Sequence, residues 1–200
     1  MKHKFSHKIV LAFVGMPGAG KSEAVSYLEQ KDIPFVRFGE ITDESLQSLG
    51  LPLTQENERK FREKIRAELG MAAYAIKAKS KLDSLLQKHD VIAIDGLYSW
   101  EEYIYLKRFF PGLQLVHVFA QPDIRYKRLV VRAIRPLSPE ESRKRDITEL
   151  EQLNKGGPIA IADYLIENNS DSLKELHQKI DSLLARLKIN PFDKLRVNAE

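Results

Sequence analysis

The amino-acid sequence predicts a single α/β domain in which a five-stranded parallel sheet lies between two layers of helices. Short apolar runs alternate with longer charged segments along most of the 200 residues. Strands that are apolar throughout are typical of a parallel sheet covered by helices on both faces. The hydrophobic content of 43% is sufficient to fill one core of this size. Right-handed crossovers then bring the carboxyl ends of the strands to one edge, where α/β proteins bind ligands.

Five apolar runs are the predicted strands of this sheet. They are 9–14 (IVLAFV), 33–38 (IPFVRF), 91–94 (VIAI), 113–119 (LQLVHVF) and 162–167 (ADYLIE). Their lengths are those of strands rather than of helices. The third run ends in Asp95-Gly96, and Pro111-Gly112 precedes the fourth.

The first half of the chain contains two predicted helical regions. A helix is expected over 23–30, and a highly charged segment over 55–88 has apolar residues at helical spacing. Thr54 is a suitable N-cap for that segment. Gly70 is a possible break, so the segment forms one or two helices.

Proline and glycine mark the helices of the second half. A helix over 99–110 ends before Pro111, and Pro122 fits the first turn of a helix that extends to about residue 134. A charged helix over 139–154 is followed by a break at 156–158 (GGP). Ser170 or Asp171 is expected to cap a last helix that ends near residue 187.

The segment from Gly15 to Ser22, GMPGAGKS, matches the phosphate-binding loop G-x-x-x-x-G-K-[ST]. Its glycines allow a tight turn that brings backbone N–H groups against phosphate oxygens, where a Cβ atom would intrude. The alternative is a glycine-rich turn with an accidental Lys-Ser pair, but the predicted strand before and helix after favour phosphate binding. The residues predicted to bind the triphosphate of ATP are Gly15, Pro17, Gly18, Ala19, Gly20, Lys21 and Ser22.

Lys21, which belongs to this loop, and Asp95, which follows a predicted strand at the same edge of the sheet, are predicted to be catalytic. Lys21 adds a mobile cation for the β- and γ-phosphates, and the hydroxyl of Ser22 is a ligand for Mg²⁺. Asp95 ends an apolar strand, where a carboxylate can hold Mg²⁺ through water or orient the attacking group. The alternative for Asp95 is a simple Asp-Gly turn. The sequence therefore predicts ATP and Mg²⁺ as cofactors.

A basic segment over 125–145 is a second indication of phosphate chemistry. Arg128, Arg132 and Arg135 have the spacing i, i+4 and i+7, which places them on one face of a helix. Phosphoryl transfer requires cations that neutralise the moving group, and closing lids often deliver them. Arg132 and Arg135 are therefore predicted to be catalytic. A solvated basic face is the alternative, and it is favoured for residues 143–145.

Several residues near the same edge of the sheet are candidates for binding the phosphate acceptor. Arg66 either reaches an acceptor phosphate from the charged segment or forms an exposed ion pair with an acidic residue of its own helix, and Gly39 and Gly96 follow predicted strands. Tyr98 and Trp100 are suited either to stacking on a substrate base or to packing at the rim of the core.

Other polar residues are expected to have structural roles. Arg59 and Arg62 are predicted to form exposed ion pairs with acidic residues of their own helix, which are Glu58, Glu63 and Glu68. His89 and His117 lie before and inside a predicted strand without a partner pattern. His3 and His7 are expected to be solvated.

Composition restricts the partners and the compartment. The chain has no cysteine, which rules out disulfides and Cys-ligated metals and is compatible with the cytoplasm. A net charge of +4 fits binding of polyanions but does not distinguish nucleotides from nucleic acid. The basic N-terminus with its apolar run imitates a signal peptide, but the run is too short for a membrane span and leads directly into the phosphate loop.

Together with the phosphate loop, three segments resemble the nucleoside monophosphate kinase superfamily. The closest resemblance is to the dephospho-CoA-kinase-related, adenylate-kinase-like proteins, and it covers about residues 8–187. The segments that carry it are 66–70 (RAELG), 95–102 (DGLYSWEE) and 161–168 (IADYLIEN).

This resemblance implies a P-loop NTPase fold, with a three-layer α/β/α core, a helical acceptor-binding insert and a small Arg-bearing lid. The implied core covers about 8–38, 89–131 and 147–187. The insert would cover about 39–88, the lid about 132–146, and a loose tail 188–200.

The chain departs from the family on the acceptor side. Asp43 stands where these proteins usually have an acceptor-clamping arginine, and Tyr98 stands where the related proteins tend to have another. The acceptor phosphate would then be held by other residues, such as Arg37 or Arg66, or the acceptor is an unusual one.

Three functional hypotheses follow. The leading one is an ATP-dependent phosphotransferase for a small nucleotide or nucleotide-like acceptor, a cytoplasmic monomer or weak dimer without nucleic-acid or membrane partners. The second is a switch protein that binds or slowly hydrolyses ATP or GTP, although 154–156 (NKG) lacks the Asp of a guanine-reading motif. The third is a nucleic-acid-associated ATPase, suggested by the isoelectric point of about 9.1. It ranks last because the basic residues cluster where a kinase lid belongs.

Overall fold

A computed structural model of the chain describes residues 7–133 and 136–189. Arg135, His3 and most of the predicted tail lie outside the described residues.

Five parallel strands form one sheet in the order β2-β3-β1-β4-β5. They are β1 (Ile9–Val14), β2 (Phe35–Arg37), β3 (Val91–Asp95), β4 (Leu113–Phe119) and β5 (Tyr164–Glu167). The register aligns the carboxyl ends, since Phe13 of β1 lies opposite Asp95 and Val14 lies opposite His117. The predicted five-stranded parallel sheet is therefore confirmed.

The helices of the described chain cover both faces of the sheet. They are α1 (Lys21–Glu29), α2 (Phe38–Ser48), α3 (Gln55–Leu69), α4 (Ala73–Lys88), α5 (Trp100–Phe109), α6 (Pro122–Val130), α7 (Pro139–Leu153), α8 (Gly156–Ala160) and α9 (Leu173–Arg186). One hydrophobic core joins α4 and α5 to the face that carries Val10 and Ile94. A second core joins α1 and α9 to the face that carries Leu11 and Phe13. Burial on both faces explains why the central strands are apolar without alternation.

Local sequence signals set several helix boundaries. The Thr54 side chain caps α3 by accepting a hydrogen bond from the Asn57 N–H at 3.2 Å. Ser99 and Glu102 form a capping box at the start of α5. Gly70, with a φ of 75°, separates α3 from α4, so the charged segment forms two helices rather than one.

Helix α6 is shorter than its sequence predicts. It ends at Val130 rather than near residue 134. The Leu137 N–H donates to the Leu129 carbonyl at 3.1 Å, which holds Leu137 against the end of the helix. Arg132 therefore lies beyond the helix, and the prediction that it shares a helical face with Arg128 is wrong.

The charged helix α7 ends at Leu153, before the predicted break at 156–158. Residues 156–158 then begin the short helix α8, which the sequence analysis did not predict. Pro158 is tolerated there because the first N–H groups of a helix have no intrahelical partner. Strand β5 begins at Tyr164 because the preceding Asp163 uses its carboxylate, not its backbone, to accept from the Leu115 N–H at 2.8 Å.

Two smaller boundaries were also predicted incorrectly. Ser172, rather than Ser170 or Asp171, caps α9 by accepting from the Glu175 N–H at 3.3 Å. Strand β2 has only three residues, and α2 begins directly after it.

Within the described ranges, no helix combines the length and apolar character that crossing a membrane requires.

Gly112 provides a test of how tightly β4 is joined to β1. A Cβ atom at this position would overlap the backbone carbonyl of Lys8, the residue before β1. Gly112→Ala is therefore expected to lower the free energy of unfolding by about 1–3 kcal/mol, as overpacking does elsewhere. Chemical denaturation measures this loss.

Gly156→Ala is the matched control. Its new Cβ would meet only the Leu150 side chain at an ordinary 3.6 Å, in a helix that favours alanine. Equal stability of the Gly112→Ala protein and the wild type would contradict the close approach of these two segments.

Candidate active site

The predicted phosphate loop joins β1 to α1 in a conformation that requires glycine. Gly15, Gly18 and Gly20 have φ values of 139°, 78° and 101°. A Cβ atom at Gly18 would lie 2.7 Å from the Arg125 carbonyl oxygen, and one at Gly15 would overlap the Val118 carbonyl. The loop is therefore packed closely against β4 and α6, and α1 begins at Lys21.

Side chains from distant parts of the chain hold this loop from behind. Asn168 Nδ2 donates to the Ala19 carbonyl at 2.8 Å, and Arg125 Nη1 donates to the Pro17 carbonyl at 3.0 Å. Arg125 also donates through both Nη atoms to the two carboxylate oxygens of Asp146 on α7, at 3.0 and 2.7 Å. Both members of this ion pair are buried. Arg125 thus has a structural role that its place in a basic segment did not indicate.

Lys21 lies in the position that its motif predicts. Its side chain is half-buried, and its ammonium group donates to the Met16 carbonyl at 3.1 Å. Burial of that group, followed by the charge of Lys155, lowers the pKa of Lys21 to about 7, although Asp95 and Glu149 act in the opposite direction. Lys21 is thus surrounded by other charges before any ligand is added.

Ser22 and Asp95 are in direct contact. The Ser22 hydroxyl donates to Asp95 Oδ2 at 2.9 Å, across 73 positions of sequence. A hydroxyl and a carboxylate supply the oxygen ligands that Mg²⁺ prefers, with its remaining ligands from water and phosphate. Among residues 7–133 and 136–189, no group of three or more His, Asp or Glu side chains forms a self-sufficient metal site. The pair therefore fits a magnesium ion that is bound together with a nucleotide.

A cavity of about 1290 Å³ opens at this edge of the sheet. The predicted site residues that line it are Pro17, Gly18, Gly20, Lys21, Ser22, Gly39, Arg66, Asp95 and Arg132. Gly15 and Ala19 lie behind this wall, where Gly15 faces β4 and the Ala19 carbonyl accepts from Asn168.

Gly96 supports the cavity wall from behind instead of lining it. Its φ is 93°, and a Cβ atom there would lie 2.7 Å from the Tyr98 hydroxyl oxygen. The Tyr98 side chain consequently folds back over Gly96 and lines the cavity itself. Burial, followed by the nearby Asp95 carboxylate, raises the pKa of Tyr98.

The loop that carries Tyr98 is held by a buried acid. Glu102 Oε2 accepts from the N–H groups of Tyr98 and Ser99 at 2.6 and 3.1 Å, whereas Oε1 is buried without a hydrogen bond in the described structure. Burial raises the pKa of Glu102 to about 7. Trp100, in contrast, packs against Gly157 and Tyr103 and is not part of the cavity wall.

Acids accompany the arginines on the side of the cavity that is predicted to bind the acceptor. Arg37 lies 3.3 Å from Asp43 and 3.9 Å from Glu40. Arg66 lies over the Tyr74 ring at 5.4 Å, and its Nε is buried without a hydrogen bond in the described residues.

The ion pairs of α3 follow the prediction only in part. Arg59 and Glu63 form an exposed pair at 3.4 Å, as expected. Arg62 also pairs with Glu58, at 3.2 Å, but Glu58 is only 3% exposed and both residues line the cavity. The prediction of an exposed Glu58 is wrong because α2 and α4 pack against α3.

Sequence reasoning missed a second charged cluster in the cavity wall. Arg145 Nε donates to Glu149 Oε1 at 3.0 Å, and Glu149 also pairs with the buried ammonium group of Lys155. Although burial acts to raise it, Lys155 and Arg145 hold the pKa of Glu149 below its ordinary value. The i, i+4 spacing of Arg145 and Glu149 was a signal for their pair. Lys155 had none, since it follows the end of α7.

Comparison with known proteins identifies relatives over most of the chain. A family described as an AAA domain matches residues 11–149. The UPF0200 protein of Thermococcus onnurineus is 35% identical over 183 residues, which are 90% of this chain and 98% of that protein.

Solved structures share the fold at low sequence identity. Shikimate kinase from Bacteroides thetaiotaomicron superimposes with a TM-score of 0.59 at 14% identity, covering 90% of this chain and 99% of that one. A gluconokinase from Sinorhizobium meliloti gives a TM-score of 0.54 at 17% identity, covering 91% and 94%. The fold of the chain is therefore that of P-loop kinases.

The Arg125–Asp146 pair can be tested by removing its acid. Asp146→Ala leaves a buried guanidinium without its counter-ion, so we expect the free energy of unfolding to fall by about 3–5 kcal/mol. Asp146→Asn retains hydrogen-bond acceptor capacity and should lose less. Exposed Asp123 on α6 is the control, and its alanine variant should lose under about 1 kcal/mol. A loss at Asp146 no larger than at Asp123 would contradict the structural role of the pair.

Glu102 predicts a specific pH dependence of stability. Its pKa is raised from 4.5 to about 7 by burial, so between these pH values the folded state binds the proton more tightly than the unfolded state. Stability should therefore fall as pH rises from 4.5 to 7 and then level off, by up to roughly 3 kcal/mol in total.

Glu102→Gln isolates this contribution. The glutamine protein should be close to the wild type below pH 4.5 and become progressively more stable than it up to pH 7, as measured by denaturation at each pH. Glu29→Gln, at an exposed position of α1, is the control. A difference between wild type and Glu102→Gln that does not change with pH would refute the raised pKa.

Proposed function

Because the chain belongs to the UPF0200 family and has the fold of P-loop kinases, we propose that it is an ATP-dependent phosphotransferase that acts on a small nucleotide or nucleotide-like acceptor. The observation that carries the proposal is a shared cavity. The phosphate loop and the arginine-bearing wall formed by α2 and α3 both line the space of about 1290 Å³. A donor and an acceptor can therefore meet in it.

On the donor side, the loop amides and Lys21 would hold the triphosphate of ATP. Ser22 and, through water, Asp95 would hold Mg²⁺, which neutralises phosphate charge when it is bound. Arg132 lines the cavity, and we assign to it and to Arg135 the role of neutralising the transferred group.

On the acceptor side, Arg66 is the residue best placed to bind an anionic group. Its buried Nε lacks a hydrogen-bond partner in the described structure, and Gly39 lines the same cavity. In the reaction, the bond between the γ-phosphorus and its bridging oxygen breaks, and the electron pair remains on ADP. An acceptor oxygen forms the new bond. The protein contributes mainly position and charge.

A second function is supported by the acids of the acceptor wall. The charges of two cavity arginines, Arg37 and Arg62, are already compensated by the carboxylates of Asp43 and Glu58. These two arginines are therefore less able to bind an anionic acceptor. A switch protein that binds or slowly hydrolyses ATP, and passes its closure to a partner, would not require those arginines.

Release of ADP from ATP and Mg²⁺ separates the two functions. The measurement uses dephospho-CoA, AMP, CMP, UMP, dTMP, GMP or no acceptor. A phosphotransferase should show turnover that depends on one acceptor, and Lys21→Ala should lower it by a factor on the order of 100 or more. Slow hydrolysis at the same rate with every acceptor and with none would reject the phosphotransferase and favour the switch.

A further inference from the structure

Lys155 occupies a position that the proposed chemistry above does not use. Its side chain is 2% exposed, yet it lines the cavity. Asn154 ends α7 with a φ of 51°, a left-handed conformation that asparagine tolerates better than most residues. This turn ends the helix, so Lys155 does not continue the exposed surface of α7. A buried ammonium group costs several kcal/mol in desolvation, so its presence requires compensation.

Glu149 supplies part of that compensation but not a neutral site. The Lys155 ammonium pairs with Glu149, which also accepts from Arg145 at 3.0 Å. Lys155 is close enough to Lys21 to disfavour the charged form of that residue. When Lys21 is protonated, this part of the cavity wall carries three cations, Lys21, Arg145 and Lys155, whereas Glu149 and Asp95 provide two negative charges. One more anion would be stabilised there.

The location of Lys155 indicates which anion this is. On one side lies Lys21 of the phosphate loop. On the other side, the Lys155 ammonium is 5.4 Å from the centre of the Tyr98 ring. The Tyr98 ring packs edge-to-face against the Tyr74 ring, with 6.4 Å between the ring centres. Tyr74 in turn lies beneath Arg66, on the acceptor side. Lys155 thus stands between the donor loop and the acceptor wall, where the terminal phosphate of a triphosphate would be.

We propose that Lys155 binds the γ-phosphate of ATP, and that Glu149 holds its ammonium group when no nucleotide is bound. This inference rests on the ATP site of the proposed function. It assigns the role to a buried lysine behind the lid region, in addition to the arginines of the basic segment. The competing explanation is a purely structural ion pair that fastens α7 to α8.

The affinities of ATP and ADP distinguish these two roles without knowledge of the acceptor. Isothermal titration calorimetry of the full chain with ATP or ADP, each in the presence of Mg²⁺, gives the dissociation constant of each nucleotide. If Lys155 binds the γ-phosphate, Lys155→Met should weaken the affinity for ATP roughly tenfold or more, which is the range of a charge-assisted hydrogen bond. The same variant should change the affinity for ADP by less than about twofold. Lys155→Arg should largely restore the preference for ATP.

Lys144→Met is the matched control, since Lys144 is an exposed lysine of the neighbouring helix α7. It should leave both affinities unchanged. Equal weakening of ATP and ADP by Lys155→Met, or no change in either, would identify a structural pair and overturn the proposal.

Glu149→Gln provides a second test if the methionine variant does not fold. Neutralising the counter-ion leaves Lys155 free to bind phosphate, so the affinity ratio of ATP to ADP should rise. An unchanged or smaller ratio would count against the proposal. If the wild type binds neither nucleotide, the proposed function itself fails. If it binds both and the ratio is insensitive to position 155, only this inference fails.

Discussion

The buried ion pair of Arg125 and Asp146 joins the parts of the site to one another. Arg125 donates hydrogen bonds from Nε to the Ala120 carbonyl after β4 and from Nη1 to the Pro17 carbonyl of the phosphate loop. Both of its Nη atoms also donate to the carboxylate of Asp146. A desolvated guanidinium is favourable only when its donors are satisfied in this way. Because Asp146 belongs to α7, the same contacts fix the helix that carries Arg145 and Glu149. The position of the second charged cluster therefore depends on the loop that it faces.

Charge is distributed differently on the two sides of the cavity. Beside the phosphate loop, burial and then the charge of Lys155 lower the pKa of Lys21. On the acceptor side, Asp43 and Glu58 already pair with arginines. In the proposed phosphotransferase, an acceptor anion would therefore either displace one of these carboxylates or bind at Arg66. Since Glu58 is buried, displacing it would leave a buried charge without its partner, so Arg66 is the favoured contact for the proposed acceptor.

Sequence reasoning succeeded where local patterns determine the structure. The run 113–119 is a strand with the predicted bounds, since an apolar run enclosed by turn residues has few alternatives. Thr54 capped its helix as expected for the same local reason. Sequence reasoning failed where tertiary contacts determine the structure. The end of α6 is set by a hydrogen bond from Leu137, and the burial of Glu58 is set by neighbouring helices. Lys155 could not be identified because its inward position depends on one left-handed residue.

The charged cluster explains why a cavity of this size can persist in a small domain. An apolar cavity would be closed by packing, since empty space loses contacts with its lining. Here the lining includes Lys21, Lys155 and Asp95, whose charges would lose solvation if the walls collapsed on one another. Burial, followed by the charge of Lys155, lowers the pKa of Lys21, so a second ammonium charge is disfavoured in this cavity while it holds no anion. An anion bound beside Lys21 and Lys155 would offset this cost and would be stabilised by both residues.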